Sequence, residues 1–271
     1  MPGLSIDLLA YAGFIERTRR RMMACREGVV IHDVSGGWMS THAESEDSEF
    51  VSTNSNRVHW LATPRAITAA DVDAAIDTAR GVGRRRLFFM LGRPAWDESV
   101  GAIFERLGAK ECTDVEYPAL ARATGECGGM RPTALTVREL SVQEVAGVLG
   151  NLGLWYSESG KATALRLVRK GIARMHGAFD GQKAVAVGFL VVGGEWAYLG
   201  AAGTDPAFRN RGAQTGLIAS RLRRAAELGA RWCACETNTA VRVSLNNLVR
   251  CGFEVVAQWR VYRWDERAAE G

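Results

Sequence analysis

Two apolar runs, Ala173–Phe179 and Ala184–Val192, face each other across Asp180-Gly181. Asp-Gly favours the left-handed backbone of a tight hairpin turn, so the pair predicts neighbouring antiparallel strands. Gly193-Gly194 turns the chain into a third run, Trp196–Gly203, and a helical repeat follows from Ala213 to about Leu228. On that repeat Leu217, Ile218, Leu222 and Ala225 share one face, with Arg221, Arg224 and Glu227 expected outside. Gly229 stops it. Around this centre lie a strand at Thr133–Leu140, helices at Val142–Leu152 and Lys161–Ile172, and a short strand at Arg231–Glu236. A helix at Arg242–Arg250, ended by Gly252, and a last strand at Phe253–Trp264 complete the order β-α-α-β-β-β-α-β-α-β. Such an order predicts an α+β (mixed α/β) fold.

The stretch Thr124-Gly125-Glu126-Cys127-Gly128-Gly129-Met130-Arg131-Pro132 is the strongest break in the periodicity. It predicts two domains, 1–125 and 132–271. The first half echoes the end of the second. Ala69–Ala79 reads as a helix, Leu87–Leu91 as a buried strand, and Val100, Ile103, Phe104 and Leu107 as a helix face before a strand at Cys112–Leu120. Phe104–Ala109 matches Leu248–Phe253 in kind, which suggests an internal duplication. Glu44–Glu49 is an acidic run expected to be a solvated loop. His42-x-Glu44 has no Pro-Cys-x-x-Cys after it, which removes a zinc deaminase reading.

Composition narrows the classes. Of 271 residues 47% are hydrophobic and 24% charged, as in ordinary globular proteins. Basic residues exceed acidic ones by 34 − 30 = 4, with signs interspersed, so nucleic acid is not an expected partner. No apolar run approaches the roughly 20 residues that span a bilayer, so no membrane is expected. The opening residues lack the order of a signal peptide, which predicts a cytoplasmic location. The six cysteines are scattered and frame neither disulfides nor zinc, so no metal is expected.

The chemistry concentrates in Gly200–Leu217. A strand ends at Thr204, Pro206 stops further ladder pairing, and Arg209-Asn210-Arg211-Gly212-Ala213-Gln214 leads into the long helix. A glycine there lets backbone amides turn one way, and those amides with a helix start behind them suit a diphosphate. The sequence resembles the GNAT superfamily of acetyl-CoA-dependent N-acetyltransferases, whose phosphate loop reads Arg/Gln-x-x-Gly-x-Gly/Ala. Here it is Arg209-x-x-Gly212-x-Gln214, and Ser244-x-x-Asn247-x-x-Arg250-x-Gly252-Phe253 resembles the family's fourth helix and its exit. The resemblance covers about Pro132–Trp264. It implies a central twisted, mostly antiparallel sheet flanked by helices, in a tandem arrangement of two such domains whose first half is a degenerate copy without a phosphate loop.

The same resemblance implies acetyl-CoA as co-substrate and direct attack by an amine in a ternary complex. Ala202, Gly203 and Thr204 would pair with pantetheine. Arg209, Asn210, Arg211, Gly212, Ala213 and Gln214 would hold the diphosphate, and Asn247 would reach the pantetheine from the fourth helix. Gln214 departs from the family's small residue, and Leu248 stands where many members carry an acidic Tyr. Glu236 and Tyr198 are the candidates for proton transfer; each also reads as an ordinary strand residue. Cys251 has no adjacent His to make it a nucleophile, and His176 reads as a satisfied surface or core residue. The acceptor is a small-molecule or protein amine, and homodimerisation is left open. Two alternatives stand beside an acetyltransferase: a non-catalytic acyl-CoA-binding module, and an aminoacyl-tRNA-dependent transferase.

Overall fold

The computed structural model describes residues 6–42, 56–93, 95–113, 116–125, 130, 132–151 and 158–266. The acidic run Glu44–Glu49 and part of the expected domain break therefore lie outside the described residues. The described residues form two compact units, one within 119–256 and one within 6–118 and 257–266. This division departs from the expected cut between 125 and 132. The cause is strand pairing, set out below for each unit.

The first unit in chain order opens with helix α1, Leu8–Met23, whose first amides at Leu9 and Ala10 donate to the Asp7 carboxylate at 2.9 and 3.1 Å. Strands β1 (Val29–Val34) and β2 (Gly37–His42) form a hairpin whose turn uses Gly36 at φ +75°. Strand β3 (Arg57–Trp60) pairs antiparallel with β2 and parallel with β4 (Arg86–Leu91), the crossover being helix α2 (Ala69–Gly81). Helix α3 (Glu98–Arg106) follows, then a two-residue strand β5 (Lys110–Glu111) and β6 (Tyr117–Ala123). The expected strand at Cys112–Leu120 is thus displaced toward the C-terminus. Alternation in β2, β3 and β4 sends Met39, Val58, Trp60, Phe89 and Leu91 into one core with Val72, Ile76 and Phe104. Tyr262 and Trp264 of the last strand, β12 (Glu254–Asp265), enter the same core, because β12 pairs antiparallel with β4 from Arg260↔Leu91 to Asp265↔Arg86.

The second unit follows the expected order. Strand β7 is Thr136–Glu139, helices α4 and α5 are Val142–Asn151 and Glu158–Arg169, and β8, β9 and β10 are Arg174–Asp180, Lys183–Gly193 and Trp196–Thr204. Helix α6 (Ala213–Glu227), β11 (Trp232–Glu236) and helix α7 (Arg242–Arg250) lead into β12. Neighbours β7, β8, β9 and β10 are antiparallel, β10 and β11 parallel. Beyond β11 lies β6, antiparallel from Trp232↔Ala123 to Glu236↔Ala119. Each unit is therefore completed by a strand from the other half of the sequence. That is why 119–123 leave the first half and 257–265 leave the second.

On α6 the four expected apolar residues are buried, and so is Arg221, which was expected outside and is only 1% exposed. Its guanidinium donates to the carbonyls of Leu217 and Phe189, both at 3.0 Å. Gly188 makes the space, since a Cβ there would lie 2.7 Å from Arg221 Nη1.

Candidate functional site

Strands β10 and β11 pair in parallel from Trp196↔Trp232 to Leu199↔Cys235 and no further, although β10 runs on to Thr204. Between Gly200 and Gly203 the register with β9 slips by a residue, a β-bulge with Ala201 at φ +43°. The small residues Gly200, Ala201, Ala202 and Gly203 make this bend feasible. At Gly200 a Cβ would lie 2.6 Å from the Tyr198 ring, so the ring covers the start of the bulge. The edge of β10 turned away from β9 has no described strand beside it beyond Leu199.

That edge leads to the phosphate-loop candidates. Asp205 accepts from Ala207 N at 3.0 Å and fixes a 3-10 turn at Pro206–Phe208. Arg209 is extended and exposed, Asn210 lies at φ +63°, and Gly212 at φ +79° is the residue before α6. Thr133 Oγ1 donates to Arg211 O at 2.8 Å and pins the loop. No side chain caps α6 at Gly212, and the first bond back to it is Gly216 N to Gly212 O at 2.9 Å. The amides of Ala213, Gln214 and Thr215 therefore have no acceptor inside the helix, as at any helix start. Arg211 and Lys183 lie over the Phe208 ring at 5.0 and 4.5 Å, adding positive charge beside the loop. Asp180 and Asp205 face those cations at 3.4 and 3.6 Å. Thr133, Lys183 and Phe208 were not foreseen, because no local pattern ties them to Gly212.

The catalytic candidates share a face. Tyr198 stands opposite Ala234 in the parallel register, and Glu236 is two residues further along β11. With a period of two, Tyr198 and Glu236 point to the same side of the sheet. Both are partly exposed. The other side carries Ala197, Leu199, Cys233 and Cys235 into the core with Ile218, Leu222 and Leu248. Leu248, at 5% exposure, is thus a core residue of α7, whereas Asn247 beside it is partly exposed.

Burial pushes the Cys235 thiol up to about 12, and it raises Cys251 as well, so neither supplies a thiolate near neutral pH. His176 is buried, with Nδ1 3.0 Å from Ser220 Oγ. Burial, with Arg221 adding to it, lowers the imidazole to about 4, which keeps it neutral. Among the described residues no three His, Cys, Asp or Glu side chains gather as a metal site, and no helix is long and apolar enough to cross a membrane.

The first unit has the same β-α-β crossover, β3-α2-β4, with every corresponding opening filled. Gly92 N donates to Trp60 O at 3.0 Å, and a Cβ at Gly92 would lie 2.4 Å from Leu61 O, so β3 and β4 stay zipped past their last rung. The amides of Leu61 and Ala62 both donate to Glu16 Oε2 at 2.9 Å. Burial raises the Glu16 carboxyl while those two amides pull it down. At the start of α2, Thr68 and Asp71 cap each other, and Arg65 clamps Asp71 through two contacts of 2.7 and 2.8 Å. Carboxylates of the chain itself stand at this strand end and helix start, whereas α6 has no side-chain cap at Gly212.

No protein-family model matches the sequence, and no curated protein matches it. Solved structures do. A GCN5-related N-acetyltransferase from Kribbella flavida superposes with TM-score 0.64 at 15% identity, covering 96% of each chain. A tandem GNAT protein from the clavulanic acid biosynthesis pathway gives 0.67 at 14% identity, covering 92% of this chain and 87% of that one. A GNAT-family acetyltransferase from Colwellia psychrerythraea gives 0.57 at 13%, covering 97% and 91%. The chain has the GNAT fold, with the mixed sheet and flanking helices that the sequence resemblance implied.

Proposed function

We propose that the chain is an N-acetyltransferase that moves an acetyl group from acetyl-CoA to an amine by direct attack in a ternary complex. One observation carries the reading: β10 parts from β11 after Leu199, bulges, and runs to a helix start with no side-chain cap at Gly212. The residues fit the co-substrate. A bulged strand edge offers amides and carbonyls to the amide-bearing pantetheine, at Ala202, Gly203 and Thr204. Arg209–Gln214 offer amides and positive charge to the diphosphate. Asn247 sits on the helix after β11 and reaches the pantetheine from that side.

In the reaction the amine nitrogen bonds to the thioester carbon, the carbon–sulfur bond breaks, and sulfur leaves with the electron pair. A β10 amide near the thioester oxygen stabilises charge that gathers there. The amine must lose a proton before or during attack. Glu236, on the same sheet face as Tyr198, takes it directly or through water. Leu248 cannot protonate the leaving sulfur, and a CoA thiol departs readily as thiolate. The acceptor is a small-molecule or protein amine.

Burial of Leu248 in the core favours one second reading, a non-catalytic acyl-CoA-binding module. A single assay separates the two: free thiol released from acetyl-CoA in the presence of a panel of primary amines. Amine-dependent release is expected. Tight acetyl-CoA binding with no release above the hydrolytic background identifies the module instead.

A further inference from the structure

Gln214 occupies the loop position where the resembling family has a small residue, and its side chain has a definite place. Nε2 donates to Thr204 Oγ1 at 2.9 Å, and both residues are partly buried. Thr204 is the last residue of β10 and Gln214 lies in the first turn of α6. The hydrogen bond therefore spans the gap between the open strand edge and the uncapped helix start. An acyl-CoA whose pantetheine lies on the first and whose diphosphate lies on the second must cross that gap.

The start of α6 is packed closely against Thr133 and β7. A Cβ on Gly216 would lie 2.8 Å from Thr133 Cγ2 and 2.9 Å from Val137 Cγ2, and one on Gly212 would lie 3.1 Å from Thr133 Cβ. The helix start is thus wedged against Thr133 and Val137 and cannot retreat to make room. We infer that the Gln214 side chain is a bar across the phosphate cradle, latched to Thr204, that acyl-CoA must displace in order to bind; this inference rests on the acyl-CoA reading above. The bar is neutral, so it blocks by occupancy and not by charge. A neutral hydrogen bond of this kind is worth about 2- to 12-fold in an equilibrium constant, a latch that a multiply charged ligand can open.

The test is calorimetric and stopped-flow titration with CoA of the wild type, Gln214→Ala and Thr204→Val. Ala removes the bar. Val keeps the shape and β-branching of Thr204 but removes the acceptor. Both variants should bind CoA at least threefold more tightly, mainly through faster association. Weaker binding by Gln214→Ala would mean that the side chain is a ligand to the phosphates, and unchanged affinity in both would mean that it lies outside the ligand's path. Either result, with CoA still bound by the wild type, overturns this inference alone. If none of the three folded proteins binds CoA, the acyl-CoA reading falls and takes the bar with it.

Discussion

Gly212 meets two demands at once: a left-handed backbone at φ +79°, and no side chain within reach of Thr133. Any L-residue there costs roughly 1–2 kcal/mol from the backbone alone. Gly212→Glu also brings a negative charge to the place proposed for a diphosphate. Its expected result is a loss of acetyl-CoA affinity of more than tenfold with the cooperative melt retained, read by calorimetric titration beside a thermal scan. Unchanged affinity in the folded variant would make the loop purely structural. Glu236 is the less protected assignment, because Tyr198 shares its face. General-base assistance contributes about 10²–10⁴-fold. Glu236→Gln should therefore lower kcat at least tenfold near neutral pH while leaving acetyl-CoA affinity within twofold. The deficit should narrow as pH rises and more of the amine loses its proton unaided. A flat ratio of rates across pH would return Glu236 to the status of a strand-end carboxylate.

At the level of elements, α2 and α6 are the same crossover with opposite starts. Helix α6 begins at a glycine with no side-chain cap; α2 begins at a capping box whose Asp71 is clamped by Arg65. The Arg65 contact, with help from Ser35 and Thr68, holds the Asp71 carboxyl well below the usual carboxylate range. A depressed carboxyl contributes stability that is complete above its unfolded pKa of about 3.9 and is lost as pH falls toward the folded value. Asp71→Asn should cost about 1–2 kcal/mol at pH 7, in line with the loss of a cap. As pH falls below 4 the gap between the two proteins should narrow progressively, as urea unfolding at several pH values would reveal. The order of elements in the second half was legible, because hairpin turns and helical period act locally. Arg221 was not. Its burial depends on Gly188 in strand β9, which no helical wheel reports. Strand β6 was misplaced because its partner, β11, is far along the chain. Neither the Glu16 carboxylate on the Leu61 and Ala62 amides nor the Thr133 wedge leaves any local signature. In the candidate site, the loop and its glycine were readable, whereas the stop in pairing after Leu199 and the Gln214 latch were set by tertiary register.

Among the described residues the β-α-β crossover occurs in each unit, with a side-chain cap at the start of α2 and none at the start of α6. One acetyl-CoA per chain is the expected calorimetric stoichiometry, and two equivalent sites would contradict the closure by Glu16, Gly92 and Asp71. Strand exchange has a second consequence. The segment 132–271 looks like a domain by its sequence, but alone it lacks β6, with Leu120 of the core and Thr124, whose Oγ1 donates to Ala230 O at 2.6 Å. It also carries Trp259, Tyr262 and Trp264, which are at most 3% exposed and belong to the other unit. Three such rings bury roughly 450–750 Å², or about 11–19 kcal/mol at 25 cal/mol per Å² as an upper bound. That is comparable with the entire 5–15 kcal/mol stability of a domain. Expressed alone, 132–271 should bind a hydrophobic dye and melt without a cooperative transition. The contiguous segment 117–256 keeps β6 through β11 and omits those aromatics, so it should melt cooperatively. A sharp transition from 132–271, with none from 117–256, would mean that the units fold by the sequence halves and not by the exchanged strands.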